Sequence, residues 1–502
     1  MRIEAWALRR GAPQADVRHI GMGPRRASRQ AASLRLTAPR PTVLAGFCGA
    51  LHPDLRPGDV VLATEIHGPS GVTPCTDPSV LAGALRRRGL RVHVGPMAST
   101  RRVVMGRRGR QRLSTGALAV DMESAWVVPA LADRSPVVMR VVMDTPSQEL
   151  YRPVRAPGAL IAACRSLTRA AQAAEEWARA VGRREIVLAA PRASCAGVLR
   201  AIETVRAALR ERGAPIYVRK QIVHNAHVVA DLERQGARFV NELDDVPPGA
   251  TVVFSAHGVS PEVRAEAVAR SLDVIDATCP LVSKVHAEAR RYAADGFDIV
   301  LVGHAGHEEV EGTLGEAPGR IQLIAGPDQV GEVRVRNPEK VAYLTQTTLA
   351  VDDTAAVLEA LHERFPGVAR PATSDICYAT QNRQDAVRSL AEDCQIILVL
   401  GSANSSNSRR LVEVAERAGC PARLIDGAAD IPLECLSGVE RVGITAGASA
   451  PEELVQDVVR ALQGLGGATI SERRVATEDI HFKLPAELRA RGSAQPARKE
   501  VT

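Results

Sequence analysis

Aromatic residues make up only 3% of this 502-residue chain, and their scarcity narrows what it can do. Proteins that hold single-stranded nucleic acid stack bases on aromatic rings set among basic side chains. The densest basic stretch, Arg86 to Arg112, contains no aromatic residue, so nucleic acid is not expected as a partner despite the formal net charge of +7. No run of about 18 apolar residues occurs, so no membrane span is expected. The N-terminus lacks an apolar core followed by a small-residue cleavage site, and no secretion signal is read there. Nine cysteines are an odd number, and none forms a Cys-x-x-Cys pair. That argues against a disulfide framework and against paired-cysteine zinc knuckles, and places the chain in the reducing cytoplasm.

What is present reads as α/β throughout, long enough for two or three domains. An Ala/Arg-rich helical pattern from Gly158 to Gly182 breaks at Gly182-Arg-Arg-Glu185 before a strand at Ile186. The division expected is residues 1–182, residues 183–483 and a polar tail, 484–502, without order.

In the first part, Gly21-Met-Gly23-Pro24 opens a helix, and Thr42–Gly46, Val60–Thr64 and Val137–Asp144 read as strands. The runs Gly46-Phe-Cys-Gly49, Leu55-Arg-Pro-Gly58-Asp59, Val120-Asp-Met-Glu-Ser-Ala125, Arg140 and Asp144 resemble the purine nucleoside phosphorylase and nucleosidase family. The resemblance implies that Glu123 contacts ribose hydroxyls and that Asp144 handles the purine proton. Met143 stands where that family usually has Ser, and the opening strand region is abbreviated. A scaffold or partner domain without catalysis is the alternative.

The remaining residues carry three cysteines, Cys195, Cys279 and Cys377, each read as following a strand in its own α/β segment. They can meet only if the segments surround a common centre, and three thiolates there suit a metal or cluster with one position open. Soft thiolates from separate segments fit an iron–sulfur cluster better than zinc. The other six cysteines read as buried small residues. Five strand ends open into loops of small hydrogen-bonding residues: Ser255-Ala-His257, Gly303–Thr313, Thr345–Thr348, Gly401–Ser408 and Thr445–Ala450. Ligands of open α/β sheets bind beyond such strand ends, and helix N-termini suit phosphate. Ser405-Ser406-Asn407 and Ser449 read as a diphosphate cradle, with His224, His257 and His307 able to line the same pocket.

Residues from about 184 to about 490 resemble the 4-hydroxy-3-methylbut-2-enyl diphosphate reductase family. The runs that carry the likeness include Cys195-Ala-Gly-Val, Ile222-Val-His-Asn225, Asp276-Ala-Thr-Cys-Pro280, Glu309-Val-Glu-Gly-Thr313, Asp375-Ile-Cys-Tyr378 and Asn404-Ser-Ser-Asn-Ser408. It implies three α/β segments in pseudo-threefold array around a [4Fe–4S] cluster with three cysteine ligands and one open iron. It also implies that Glu309 delivers the proton, with His307 and Thr347 positioning the substrate hydroxyl. His224, His257, Ser405, Ser406, Asn407 and Ser449 hold the diphosphate, and a ferredoxin or flavodoxin supplies electrons. Ala193-Ser194 replaces the family's usual Gly-Phe before the first cysteine, which is expected to weaken shielding of the centre. Two other readings stay open: a diphosphate-binding sensor without turnover, and a bifunctional chain with nucleoside phosphorylase activity in residues 1–182.

Overall fold

The computed structural model describes residues 2–35, 40–113, 116–134, 136–147 and 156–489. Two compact units are present. One comprises Met1–Ile186, Gly427–Val442 and Gln456–Ile470; the other comprises Val187–Asp426, Gly443–Val455 and Ser471–Thr502.

In the first unit, Val60–Gly68 pairs in parallel with Val92–Ser99 and antiparallel with Val137–Asp144. Val43–Ala50 and Ala119–Asp121 complete a ring of five strands, and the short strand Gly71–Pro74 forms an outer hairpin. Val137–Val142 is buried at every position, as a strand covered on both faces should be. The chain opens with a helix, Arg2–Gly11, packed on the helix Ala156–Ala180. Gly11 permits the approach: a Cβ there would stand 2.1 Å from the Thr168 carbonyl oxygen.

Three further sheets follow. Asp273–Asp276, Thr251–Phe254, Ile216–Arg219 and Ala237–Val240 lie in that order, all parallel. Ile321–Ile324, Asp298–Val302 and Val341–Thr345 form a parallel trio. The third sheet orders Ala422–Ile425, Ile396–Leu400, Arg441–Ala446, Arg184–Ala190 and Ala468–Arg474. Asp298–Val302, Val341–Thr345 and Ile396–Leu400 are buried along their whole length, which explains the apolar runs 299–302, 341–344 and 396–400.

Two expectations need correction. No strand precedes Cys377: the chain from Phe365 to Cys377 is a loop with one isolated bridge, between Ala342 and Ala369. Pro366, Gly367 and Pro371 break the ladder, and the Asp375 carboxylate accepts the Thr345 amide at 3.0 Å where a strand carbonyl would. The disordered tail also begins too early. Ala486–Arg489 is a helical turn whose Leu488 is buried in the core beside Ile202, Val205 and Ile216. From residue 490 onward that expectation lies outside the described residues.

Candidate active site

Each of the three cysteines immediately precedes a helix: Cys195 before Ala196–Arg212, Cys279 before Pro280–Ala294 and Cys377 before Tyr378–Ala391. A helix start offers free N–H groups and the positive end of the dipole, which favours negative sulfur. Cys377 Sγ accepts the Thr380 amide at 3.3 Å and lies 3.0 Å from Thr380 Oγ1. All three cysteines line one cavity of about 110 Å³. A Cβ built on Gly197 would stand 2.7 Å from Cys279 Sγ and 3.9 Å from Cys195 Sγ, so the sulfurs converge on a bare backbone.

Burial, reinforced by the neighbouring sulfurs, pushes the Cys279 thiol up to about 12 and the Cys377 thiol up to about 11. Thiols that resist ionisation together become thiolates when a bound cation compensates them. The donor set therefore fits a metal–sulfur centre on its own chemistry.

Glu309, Thr347, His307, His224 and His257 line the same cavity, joined by Ser405, Ser406, Asn407 and Ser449. The structure thus brings together every residue expected in the second unit. The His224 and His257 rings stack at 4.2 Å with 17° between planes, and His307 meets both edge-on at 5.6 and 5.8 Å. His307 caps the helix Glu308–Gly315: its Nδ1 accepts the Glu309 amide at 3.2 Å, so the proton of the neutral ring sits on Nε2. Burial and the facing His257 lower His224 to about 3 and His307 to about 4, which leaves both uncharged at neutral pH.

In the same cavity, Ser405 caps the helix Ser406–Arg417 by accepting the Ser408 amide. Ser406 Oγ accepts Thr348 Oγ1 at 3.1 Å, and Ser449 Oγ donates to the His224 carbonyl at 3.0 Å. Asn407 is buried, yet neither its Oδ1 nor its Nδ2 has a protein partner. A buried amide left open at a helix start is the signature of a polar ligand.

Two lining or supporting residues escaped sequence reading. Glu308 accepts His257 Nδ1 at 3.0 Å, and Ser255 Oγ lies 3.4 Å from the same carboxylate oxygen. The signal was the doubled acid in His307-Glu308-Glu309, which only a contact could interpret. Phe482 lines the cavity from far along the chain, where no local pattern marks it.

The first unit has its own cavity, about 290 Å³, lined among others by Glu123, Asp144, Arg110, Arg140, Phe47 and Met143. Arg140 is buried, with NH2 2.6 Å from Asp121 Oδ2 and 3.8 Å from Glu123 Oε2. Glu123 accepts the Gly23 amide at 3.0 Å, and burial raises its pKa against the pull of Arg140. Asp144 is ion-paired with buried Arg110, a residue of the basic stretch that composition alone would leave on the surface. Cys48 also lines this cavity and is buried, so its thiol is pushed well up.

Three converging thiols facing a buried carboxyl and a polar cradle define a metal–sulfur enzyme with an anionic substrate. Comparison with known proteins makes the class specific. Residues 186–463 match the family model described as LytB protein, and residues 11–149 match that of the phosphorylase superfamily. The chain is 56% identical over 309 residues to 4-hydroxy-3-methylbut-2-enyl diphosphate reductase of Leifsonia xyli, covering 61% of this chain and 92% of that one. Identity to the same-named protein of Pseudomonas fluorescens is 56% over 311 residues, covering 61% and 99%. The solved structure of the E-1-hydroxy-2-methyl-but-2-enyl-4-diphosphate reductase from Plasmodium falciparum superposes with a TM-score of 0.59 at 37% identity, covering 61% of this chain and 97% of that one. The chain belongs to the LytB family, with a phosphorylase-superfamily domain fused at its N-terminal side. The family is one of reductases and implies an iron–sulfur cofactor, which the three thiols fit.

Proposed function

We propose that residues 183–483 reduce (E)-4-hydroxy-3-methylbut-2-enyl diphosphate to isopentenyl and dimethylallyl diphosphate. The observation that carries this reading is the single cavity holding Cys195, Cys279, Cys377, Glu309, Thr347 and the Ser405-Ser406-Asn407 cradle. Overall, the C–O bond of the allylic hydroxyl breaks, two electrons and two protons enter, and water leaves. Cys195, Cys279 and Cys377 would hold a [4Fe–4S] cluster. When bound, it would supply the electrons one at a time, taken from a ferredoxin or flavodoxin.

The protein's own groups do the rest. His224, His257, Ser405, Ser406, Asn407 and Ser449 bind the diphosphate and fix the direction of the chain of carbon atoms. Thr347 and His307 orient the hydroxyl. Glu309, whose pKa is raised by burial, holds a proton beside the reacting carbon until it is needed. Leu281, Val282 and Tyr378 supply a wall that excludes water. The setting is the cytoplasm; no described helix is long and apolar enough to cross a membrane.

Anaerobic purification with iron and sulfide counts, an absorption spectrum and turnover with a strong reductant tests the proposal. A colourless, iron-free chain that binds zinc would sink it. Full cluster loading without turnover would favour the sensor reading.

The first unit's cavity favours a second activity, nucleoside cleavage in residues 1–182 with Glu123 at the ribose and Asp144 at the base. Free base released from purine nucleosides, and lost in Glu123→Ala and Asp144→Ala, supports it. Release that survives both substitutions refutes it.

A further inference from the structure

The three thiol-bearing loops are tied together by three basic side chains in a closed circuit. Arg200 lies in the second turn of the helix that Cys195 caps. Its NH1 donates to the carbonyls of Ala277 and Thr278, both at 3.0 Å, in the loop that ends at Cys279. Lys284 occupies the matching place on the helix that Cys279 caps. Its Nζ reaches the carbonyls of Thr373 at 2.7 Å and Ser374 at 3.2 Å, and Asp375 Oδ1 at 3.1 Å, in the loop that ends at Cys377. Arg383 stands one residue further along on the helix that Cys377 caps. Its Nε and NH2 donate to the Ala193 carbonyl at 3.1 and 2.7 Å, in the loop that ends at Cys195. The first helix grips the second loop, the second the third, and the third the first.

The chemistry explains why cations occupy these places. A loop that turns sharply into a helix cannot satisfy its own last carbonyls with strand bonds; the buried ones of Ala193, Ala277 and Thr278 need donors, while Lys284 holds the exposed carbonyls of Thr373 and Ser374 together with the buried Asp375 carboxylate. A charged donor makes such bonds stronger than a neutral one. The cysteine amides themselves are each held by a single bond to a neighbouring strand end: Cys195 to Ala448, Cys279 to Ala256 and Cys377 to Thr347. Apolar packing joins each of the three helices to the sheet beside the loop, as Ala201, Ile202 and Val205 meet Ile275 and Ala277, and the long cations add the polar tie to the loop itself.

We infer that Arg200, Lys284 and Arg383 form a cyclic brace that sets the spacing of the three sulfurs before any cluster is bound. They are positioning residues and touch neither substrate nor reacting atoms. The inference deepens the cluster-holding reading of Cys195, Cys279 and Cys377 and shares that premise.

The circuit makes an asymmetric prediction that general destabilisation does not. In the full chain without cluster, hydrogen–deuterium exchange is followed in Arg200→Met, Lys284→Met and Arg383→Met. Each variant speeds exchange about tenfold in the loop its cation grips, and not in the loop of its own cysteine. Arg200→Met loosens residues 277–279, Lys284→Met loosens 373–377, and Arg383→Met loosens 192–195. In the reconstituted chain, iron passes to a chelator about tenfold faster from each variant. Lys284→Arg, which keeps the charge and donors, restores both readouts. Exchange that rises uniformly, rises in the variant's own loop, or stays at the wild-type rate overturns the brace. Arg383 is buried and also bonds Glu478, so Arg383→Met can fail to fold; Arg200→Met and Lys284→Met then decide the matter. A wild-type chain that takes up no iron refutes the cluster reading instead, and the exchange pattern still judges the brace.

Discussion

Both oxygens of the Glu309 carboxyl end on one residue: Oε1 accepts the Thr347 amide at 2.7 Å, and Oε2 accepts the Thr347 hydroxyl at 3.0 Å. Glu309 is only 2% exposed, and burial raises its pKa although both contacts from Thr347 oppose the rise. The acid is thus held rigidly against the cavity with a tendency to keep its proton. Glu309→Gln preserves the shape and can still accept the Thr347 amide, but has no proton to give. The expected outcome is an unchanged iron count and absorption spectrum, with turnover reduced by about 10²–10⁴-fold. Steady-state assays under anaerobic conditions check it, and wild-type turnover in this variant would remove Glu309 from the proton path.

Gly197 is the second element whose role is steric. The 2.7 Å between its missing Cβ and Cys279 Sγ leaves no room for even a methyl group, while its helical backbone is unstrained for alanine. Gly197→Ala should therefore fold, since alanine favours a helix by about 1 kcal/mol over glycine. It should also displace the Cys279 sulfur and lower cluster occupancy several-fold. Iron per chain, set against an unchanged far-ultraviolet spectrum, is the measurement. Full occupancy would mean that Cys279 can swing aside at little cost.

How far such details could be read in advance depended on the kind of signal. Cys195, Ser405 and Ser449 are legible because polar residues between a buried apolar strand and a helix have few other uses, and Cys279 because it stands between a strand and a helix that opens on Pro280. Cys377 is legible by residue type, but Ser374-Asp375-Ile376 before it reads as a strand end only by analogy with the other two cysteines, since no apolar run leads into it. Four-residue strands such as Ala237-Arg-Phe-Val240 and Ile321-Gln-Leu-Ile324 are too short and too polar to show a period. Arg200, Lys284 and Arg383 were invisible for a different reason. A basic residue in an amphipathic helix looks like part of a solvated face, and only the third dimension shows that Arg383 is buried. Glu123 and Asp144 do line one cavity, but the commitment of Asp144 to Arg110 could not be foreseen from residues so far apart.

The histidines give the cavity a pH signature. His224 and His307 sit at about 3 and about 4 in the folded chain, against an ordinary value of about 6.5 when unfolded. Below about pH 6.5 the unfolded chain therefore binds protons that the folded chain refuses, and stability falls as pH falls toward those lowered values. Above about pH 7 both states are neutral and the effect vanishes. Thermal unfolding of the cluster-free chain should show a midpoint that drops between about pH 7 and pH 5. The drop should be shallower in His224→Asn, which has nothing to protonate. Identical slopes in the two proteins would show that the His224 ring is free to take a proton in the folded state.

Ala193 carries the clearest local strain. Its φ is +59°, in the left-handed region, and it is buried two residues before Cys195. Holding an L-residue there costs about 1–2 kcal/mol, while glycine adopts it freely. What enforces the conformation is the grip on its carbonyl by two nitrogens of Arg383 and the bond from its own amide to the Ala446 carbonyl at 3.3 Å. The usual glycine of the family at this place thus has a backbone reason, and shielding of the centre is a separate matter for Ser194, whose hydroxyl turns to the Ala450 carbonyl at 3.1 Å. Ala193→Gly should relieve the strain and raise the free energy of unfolding by about 1 kcal/mol, after the greater flexibility of glycine in the unfolded chain is set against it. That corresponds to a melting temperature about 2–4 °C higher for a unit of this size. Because the Cys195 sulfur does not move, iron content and the rate of cluster loss in air should stay within twofold of wild type. A lower melting temperature would mean that Ala193 is not strained and that Arg383 holds the loop without opposition.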